Sequence, residues 1–259
     1  MSSIRETAAL AIKTLKDLGA QSASAQAISG KKSEFTIEGG RFTLLRTTLD
    51  NSLSLHAIKD FRRGSVSGNS FEQDAVLSAA RDCVASAEAA QPDPAWEMAK
   101  EGRGQFKDGA PEPDMEGLFK RTRELLDSVH REYPRIILEQ VITAHTARSG
   151  VYLNSFGVEY ETLAGQYEVT LMFSGHEGEK SSSFNYSGVL TDSLDRPFIE
   201  MGSIRQNLSD AENQIHTQGT QGKFEGTVIF TPDCLGSMLY ELLDNYVADG
   251  VLLDGTSQW

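Results

Sequence analysis

Apolar residues at the start of the chain recur at three- and four-residue steps. Ile4, Ala8, Ala11, Ile12, Leu15 and Leu18 predict an amphipathic helix, and Gly19 stands where a C-cap glycine belongs. From Ser22 to Gly68 the period falls to two. "SASAQAIS", "SEFTIEGG", "RFTLLRTTLD", "NSLSLHAIKDF" and "RRGSVSG" alternate between Gly, Asp and Asn punctuation, which predicts an antiparallel meander of three to five strands. Helical spacing returns from Phe71 to Ala90. There Ala75, Val76, Ala79, Ala80, Cys83, Val84 and Ala87 form a small-residue stripe suited to close packing on a sheet.

The stretch from Gln91 to Asp114 holds four of the seven prolines and reads as a long surface excursion. A third helix is expected over Met115–Glu132. After Pro134, "RIILEQVITAHTA", "GVYLNSFGVEYETLAGQYEVTLMFSG" and "SSSFNYSGVL" predict a second meander, with hairpin turns near Ser149-Gly150 and at Ser155-Phe156-Gly157. A helix over Pro197–His216 follows, with Ile199, Ile204, Leu208, Ala211 and Ile215 on one face. Thr217–Lys223 reads as a linker, then "GTVIF" as a strand and "CLGSMLYELLDNYVADG" as an apolar helix ending at Gly250. The alternation suits a sheet with one wet face. The expected fold is therefore α+β, a largely antiparallel, curved sheet with helices packed on one face.

Composition narrows the function classes. A 259-residue chain that is 39% hydrophobic and 24% charged is of ordinary globular type. Its 24 Lys+Arg against 37 Asp+Glu give a net charge of −13, which repels phosphate backbones and anionic lipid. The two short basic runs, Gly30–Ser33 and Lys59–Gly64, read as solvated strand ends, so neither nucleic acid nor membrane is an expected partner. Cys83 and Cys234 lie far apart in apolar helical patterns and read as buried reduced thiols. The N-terminus is charged throughout, unlike a secretory signal, and no apolar run approaches the length needed to cross a bilayer. A soluble, cytoplasmic protein is expected.

Short motifs carry little chemistry. "SGKKS" lacks the upstream glycine of a phosphate loop, and Ser29-x-x-Lys32 stands without the companion motifs of penicillin-recognising enzymes. His176-Glu177 has no second histidine at metal-ligand spacing and reads as part of a solvated loop. Glu159 and Glu161 share a strand face and are expected to face water. His56, His130, His145 and His216 are scattered singly. No nucleophile, base or metal set is suggested by order or local context.

The order of elements, with "VYLNSFGVEYET" (Val151–Thr162) and "GTVIFTPDCLGSML" (Gly226–Leu239), resembles the TldD/PmbA family, whose PmbA-type members are also called TldE. That family is described as modulators of DNA gyrase and as peptide-maturation peptidases. The first segment is similar to its Asn-Ser-x-Gly hairpin and the second to its entry into a β-rich C-terminal domain. The resemblance implies an N-terminal α+β domain over residues 1–221 and the beginning of a C-terminal domain over 222–259. It also implies that the natural chain continues past Trp259.

Peptidase members carry His-Glu-x-x-x-His on the corresponding helix, where two imidazoles bind zinc and the glutamate activates the bound water. Laid on that pattern, Tyr240 takes the place of the first histidine, Glu241 that of the glutamate and Asn245 that of the second histidine. A neutral phenol and an amide oxygen are poor zinc ligands. The resemblance thus implies no catalytic residue, metal or cofactor on this chain. It implies instead a metal-free subunit whose partner is a His-Glu-x-x-x-His paralogue, acting on short or unfolded, extended peptides. If the alignment fails, the helix is a core helix. A histidine spacing of five needs a distorted helix. With neither Gly nor Pro between Glu241 and Asn245, a regular helix is expected, with Leu235, Met238, Leu239, Leu242 and Leu243 packed inward. Should those leucines lack a cover, the chain is expected to self-associate or to pack that helix back on its own first domain. The second function class is a stand-alone module that grips extended peptides or a protein partner through its sheet edges.

Overall fold

The computed structural model describes residues 4–217, 219, 222–223 and 225–259. The chain divides into two compact units, one running to Ile215 and the other from His216 to Trp259.

In the first unit, α1 (Ile4–Asp17) buries Ala8, Ala11 and Leu15. It ends as its glycine predicts. Gly19 takes φ +93°, its N–H donates to Lys16 O, and the Ala20 N–H donates to Leu15 O, a Schellman closure. The expected meander is three strands: β1 (Ser22–Glu38), β2 (Arg41–Lys59) and β3 (Arg62–Gly68). The basic run Gly30–Ser33 is the middle of β1, not its end. α2 (Gln73–Ala89) follows, burying Val76, Ala80, Cys83, Val84 and Ala87.

The excursion contains an unexpected strand, β4 (Arg103–Gly109). It pairs in parallel with β6 (Glu159–Glu177), in an otherwise antiparallel sheet. Its alternation is almost invisible because Phe106 is its only large apolar residue, so backbone pairing defines it. α3 (Met115–Glu132) starts at Asp114, whose carboxylate caps the Gly117 N–H. β5 (Ile136–Asn154) runs unbroken through Ser149-Gly150, so the expected hairpin there is absent. Gly150 serves instead as a point of close approach: a Cβ on it would stand 2.6 Å from Thr162 Oγ1. The second expected hairpin forms, with Gly157 at φ +87°. β7 (Lys180–Ser181) and β8 (Asn185–Thr191) both pair with β6. The helix expected over Pro197–His216 is interrupted: a 3-10 turn at Phe198–Glu200, α4 (Ile204–Asn213) and a 3-10 turn at Gln214–His216.

The strands form one strongly curled eight-stranded sheet of order β3-β2-β1-β5-β6-β4. Register puts Ala25 opposite both Leu55 and Leu153, and Val141 opposite both Ile37 and Leu171. These are all odd-numbered positions, so both hydrophobic clusters lie on one face of β1 and β5. One cluster joins α1 and α2 to Ala23, Ala25, Ala27, Leu53, Leu55 and Ala57. The other joins α3 and α4 to Val141, Val169, Leu171 and Phe173, with Phe198 filling in. The expected α+β architecture with helices on one face is thus the observed one.

In the second unit, "GTVIF" is not a strand: residues 225–230 have no regular structure, and Ile229 is 83% exposed. α5 (Pro232–Leu242) passes into a π-helical turn at Leu243–Val247, then α6 (Asp249–Leu253). No helix among the described residues is long and apolar enough to cross a membrane.

Candidate functional site

The helix that the family pattern marks is not regular. The Ala248 N–H donates to Leu243 O five residues back, at 2.9 Å, closing a π turn directly after α5. A π turn widens the helix to more than four residues per turn and brings positions five apart toward one face. The helix is therefore distorted at Leu243–Val247 without Gly or Pro, contrary to the expected regular helix, while Tyr240 and Glu241 stay in the α-helical part before it. From this turn the Asn245 amide reaches back to α5, donating to Glu241 O at 2.8 Å and to Glu241 Oε1 at 3.0 Å. Tyr240 is 71% exposed. Asn245 is thus a hydrogen-bond donor to the very carboxylate that would act as general base. Leu235, Met238, Leu239, Leu242 and Leu243 are not packed inward but each about half exposed. Cys234 is exposed as well, whereas Cys83 is buried as expected.

The hairpin segment is structural. Asn154 Oδ1 accepts from the N–H groups of Phe156 and Val158, and its amide donates to Ala99 O at 2.7 Å. Ser155 ties the turn to Ala23 through its N–H and its hydroxyl. One asparagine thereby closes the β5–β6 turn and pins the start of the excursion against it.

Of the scattered histidines, His145 is a strap. His145 Nε2 lies 2.6 Å from Ala110 O. A carbonyl only accepts, so that nitrogen carries the proton. The neighbouring Tyr167 hydroxyl accepts from the Asp114 N–H at 2.9 Å, so the two rings together position the start of α3. His176-Glu177 sits at the end of β6 rather than in a loop.

The structure brings Ser174, Glu139 and His176 together, which sequence order did not suggest. Ser174 Oγ donates to Glu139 Oε1 at 3.0 Å and meets His176 Nε2 at 2.9 Å. Since the serine proton goes to the carboxylate, the imidazole donates. That is the reverse of a base-activated nucleophile. Glu139 reaches the site because β5 bulges between Leu138 and Gln140. Ser29 and Lys32, three apart on a strand, fall on opposite faces and cannot act as a pair.

The feature best suited to a ligand is a cleft of about 570 Å³ beside the N-terminal turn of α1. Ile4, Val151, Leu163 and Phe106 make its apolar walls, and Arg5, Gln105 and Glu161 its polar rim. Glu159 and Glu161 do not simply face water, since both ion-pair with Arg5. The hydrogen bonds to Glu159 and Glu161 hold the guanidinium still further above its usual range. Those from Arg5 and then Gln105 hold the Glu161 carboxyl below its usual range. With Arg5 and Glu161 paired to each other, the cleft offers apolar wall, orientation and the Lys107 cation rather than a free carboxylate base. Among the described residues, no three His, Cys, Asp or Glu side chains cluster as a metal site.

No protein-family model matches the sequence, and no curated protein does. Solved structures do. TldE from Thermococcus kodakarensis superposes with a TM-score of 0.61 at 15% identity, over 79% of this chain and 46% of that one. A protein named as a modulator of DNA gyrase from Thermotoga maritima gives 0.55 at 10%, over 82% and 48%. One so named from Bacteroides thetaiotaomicron gives 0.64 at 20%, over 84% and 51%. The chain spans about half the length of these structures and shares their fold, as the hairpin and helix segments led one to expect.

Proposed function

We propose that this chain is the non-catalytic, TldE-like subunit of a heteromeric metallopeptidase acting on short or unfolded peptides in the cytoplasm. The observation that carries this reading is the Asn245–Glu241 hydrogen bond on a π-distorted helix. The helix turns π-helical at Leu243–Val247, over the second half of the His-Glu-x-x-x-His span, and Tyr240 and Asn245 stand where imidazoles would be. The retained carboxylate is engaged by an amide rather than poised over a metal-bound water. A histidine-bearing paralogue would supply the zinc-activated water. This chain would contribute fold and binding surface, including the apolar cleft at Ile4, Val151 and Leu163.

The test mixes the protein with such a paralogue. The two should co-purify, hydrolysis of an unstructured peptide should appear only in the mixture, and chelation should abolish it. Glu241→Ala should leave that activity unchanged. Metal-independent hydrolysis by this chain alone would refute the reading.

A second reading, a stand-alone module that grips extended peptides, is favoured by the edge of β2 over residues 41–52, which β3 does not reach. Failure of the paralogue to bind, with peptide still retained, would bring it forward.

A further inference from the structure

β2 is nineteen residues long, but β3 reaches only as far as Leu53, which it pairs with Gly68. The stretch 41–52 therefore pairs with β1 on one side and with no described strand on the other. All twelve of its residues are exposed. That is about 40 Å of open edge at 3.4 Å per residue. Natural edges of this length are blunted by lysine, proline, bulges or a covering element. Here "RFTLLRTTLDNS" has no lysine or proline, and the one irregularity of the β1–β2 ladder lies at its far end, at Thr36/Ile37. Leu45 and Leu49, 67% and 75% exposed, stand opposite Phe35 and Lys31 of β1 and so share one face.

The geometry points to a second copy of this chain as the occupant, its own β2 added antiparallel so that Thr47 faces Thr47 across a two-fold axis. In this register residues 42 to 52 of each copy pair along nearly the whole open edge. Each Leu45 lies opposite the other copy's Leu49, closing four exposed leucines into one patch. On the opposite face Arg46 lies diagonal both to the other copy's Asp50 and to its Arg46, and each arginine is neutralised by its own Glu34 at 2.6 Å. Moving the axis to Thr48 sets the leucines against Asn51 and Thr47, and moving it to Leu49 runs the strand into β3. The edge carries Arg41 and Arg46 against Asp50, so contact does not oppose the acidic surface that a net charge of −13 implies. Strand addition of this length gives a small interface and therefore a concentration-dependent dimer.

The experiment is sedimentation of the full chain over a concentration series. A monomer–dimer equilibrium is expected, and the Leu45→Lys/Leu49→Lys variant should be monomeric with an unchanged circular dichroism spectrum. In a Cys234→Ser background, Thr47→Cys should be captured as a dimer by a short bis-maleimide. Leu44→Cys, facing Asp50, should be captured poorly. The α5 variant Leu239→Lys/Leu242→Lys should still dimerise. A monomer at every concentration would overturn the proposal. So would a dimer that survives the β2 lysines or dissolves with the α5 pair.

Discussion

On one face of one sheet, α1 and α2 pack through alanine, whereas α3 and α4 pack through leucine, isoleucine and phenylalanine. Ala8, Ala11, Ala80 and Ala87 meet Ala23, Ala25, Ala27 and Ala57 in the first layer. Leu118, Leu125, Ile204 and Leu208 meet Val169, Leu171 and Phe173 in the second. The first layer holds by proximity. A Cβ on Gly64 of β3 would stand 2.1 Å from Cys83 O and 2.5 Å from Ala87 N, so α2 lies almost on the strand backbone. The second layer holds by volume, with larger side chains spanning a wider gap. Stability drawn from volume is sensitive to deletion, and stability drawn from proximity is sensitive to addition.

The largest effect should therefore come from emptying the second layer. Phe173 is fully buried, and Phe173→Ala should cost about 3–5 kcal/mol in urea unfolding. Ala80→Gly in the first layer should cost only about 1 kcal/mol, mostly helix propensity. The comparison fails if the two losses are equal.

Addition should reverse the order. Ala80→Leu and Gly64→Ala should each cost about 1–3 kcal/mol by forcing α2 off the sheet. Cys83 lets that opening be read directly. Its thiol donates to Leu55 O and Gly64 O, and burial pushes its pKa up to about 11. Labelling by a thiol reagent in the native state should be slow at Cys83 and fast at exposed Cys234. Gly64→Ala should speed Cys83 labelling more than an equally destabilising change at Leu171. Equal rates would mean that the two layers open as one.

Much of this contrast is written in residue types along the chain. The stripe from Val76 to Ala87 announces close packing, and Gly19 announces the end of α1. Alternation in the two meanders finds the strands but not their lengths, because Gly30 and Gly150 look like turns when they are contact points inside continuous strands. β4 escapes because a strand held by its backbone needs no apolar rhythm. The marked helix shows a shape that its residues did not announce. Tyr240, Glu241 and Asn245 can be read from the sequence, whereas the π turn that holds Asn245 depends on which carbonyl the Ala248 N–H selects. The Arg5 pairing with Glu159 and Glu161 spans 154 and 156 residues, and the Ser174–Glu139 contact depends on a bulge. No local pattern encodes contacts of that kind.

The smallest expected effect bears on the first layer alone. His56 lies on β2, opposite Ser65 of β3, and its Nδ1 accepts from the Arg63 guanidinium at 3.3 Å. Arg63 also stacks on Trp96, 4.7 Å from the ring centroid. Burial, and then the Arg63 charge, hold the imidazole pKa below its ordinary value. A depressed histidine pKa means that the folded state binds the proton less readily than the unfolded chain does. Its contribution to stability is complete above the unfolded pKa of about 6.5. It is lost as pH falls from there through the folded pKa, below which both states are protonated and the loss levels off. Protonation also turns the Nδ1 acceptor into a donor facing Arg63, so the strain falls on the β2–β3 pair, on the face away from α2. Amide exchange between pH 7.5 and 5 should therefore quicken in Leu53–Lys59 and Arg62–Gly68 beyond the intrinsic rate change, and His56→Gln should flatten that response. Val141–Ala147, beneath the second layer, should not share it. A uniform change across both sets of strands would show that the layers are coupled too tightly for one histidine to tell them apart.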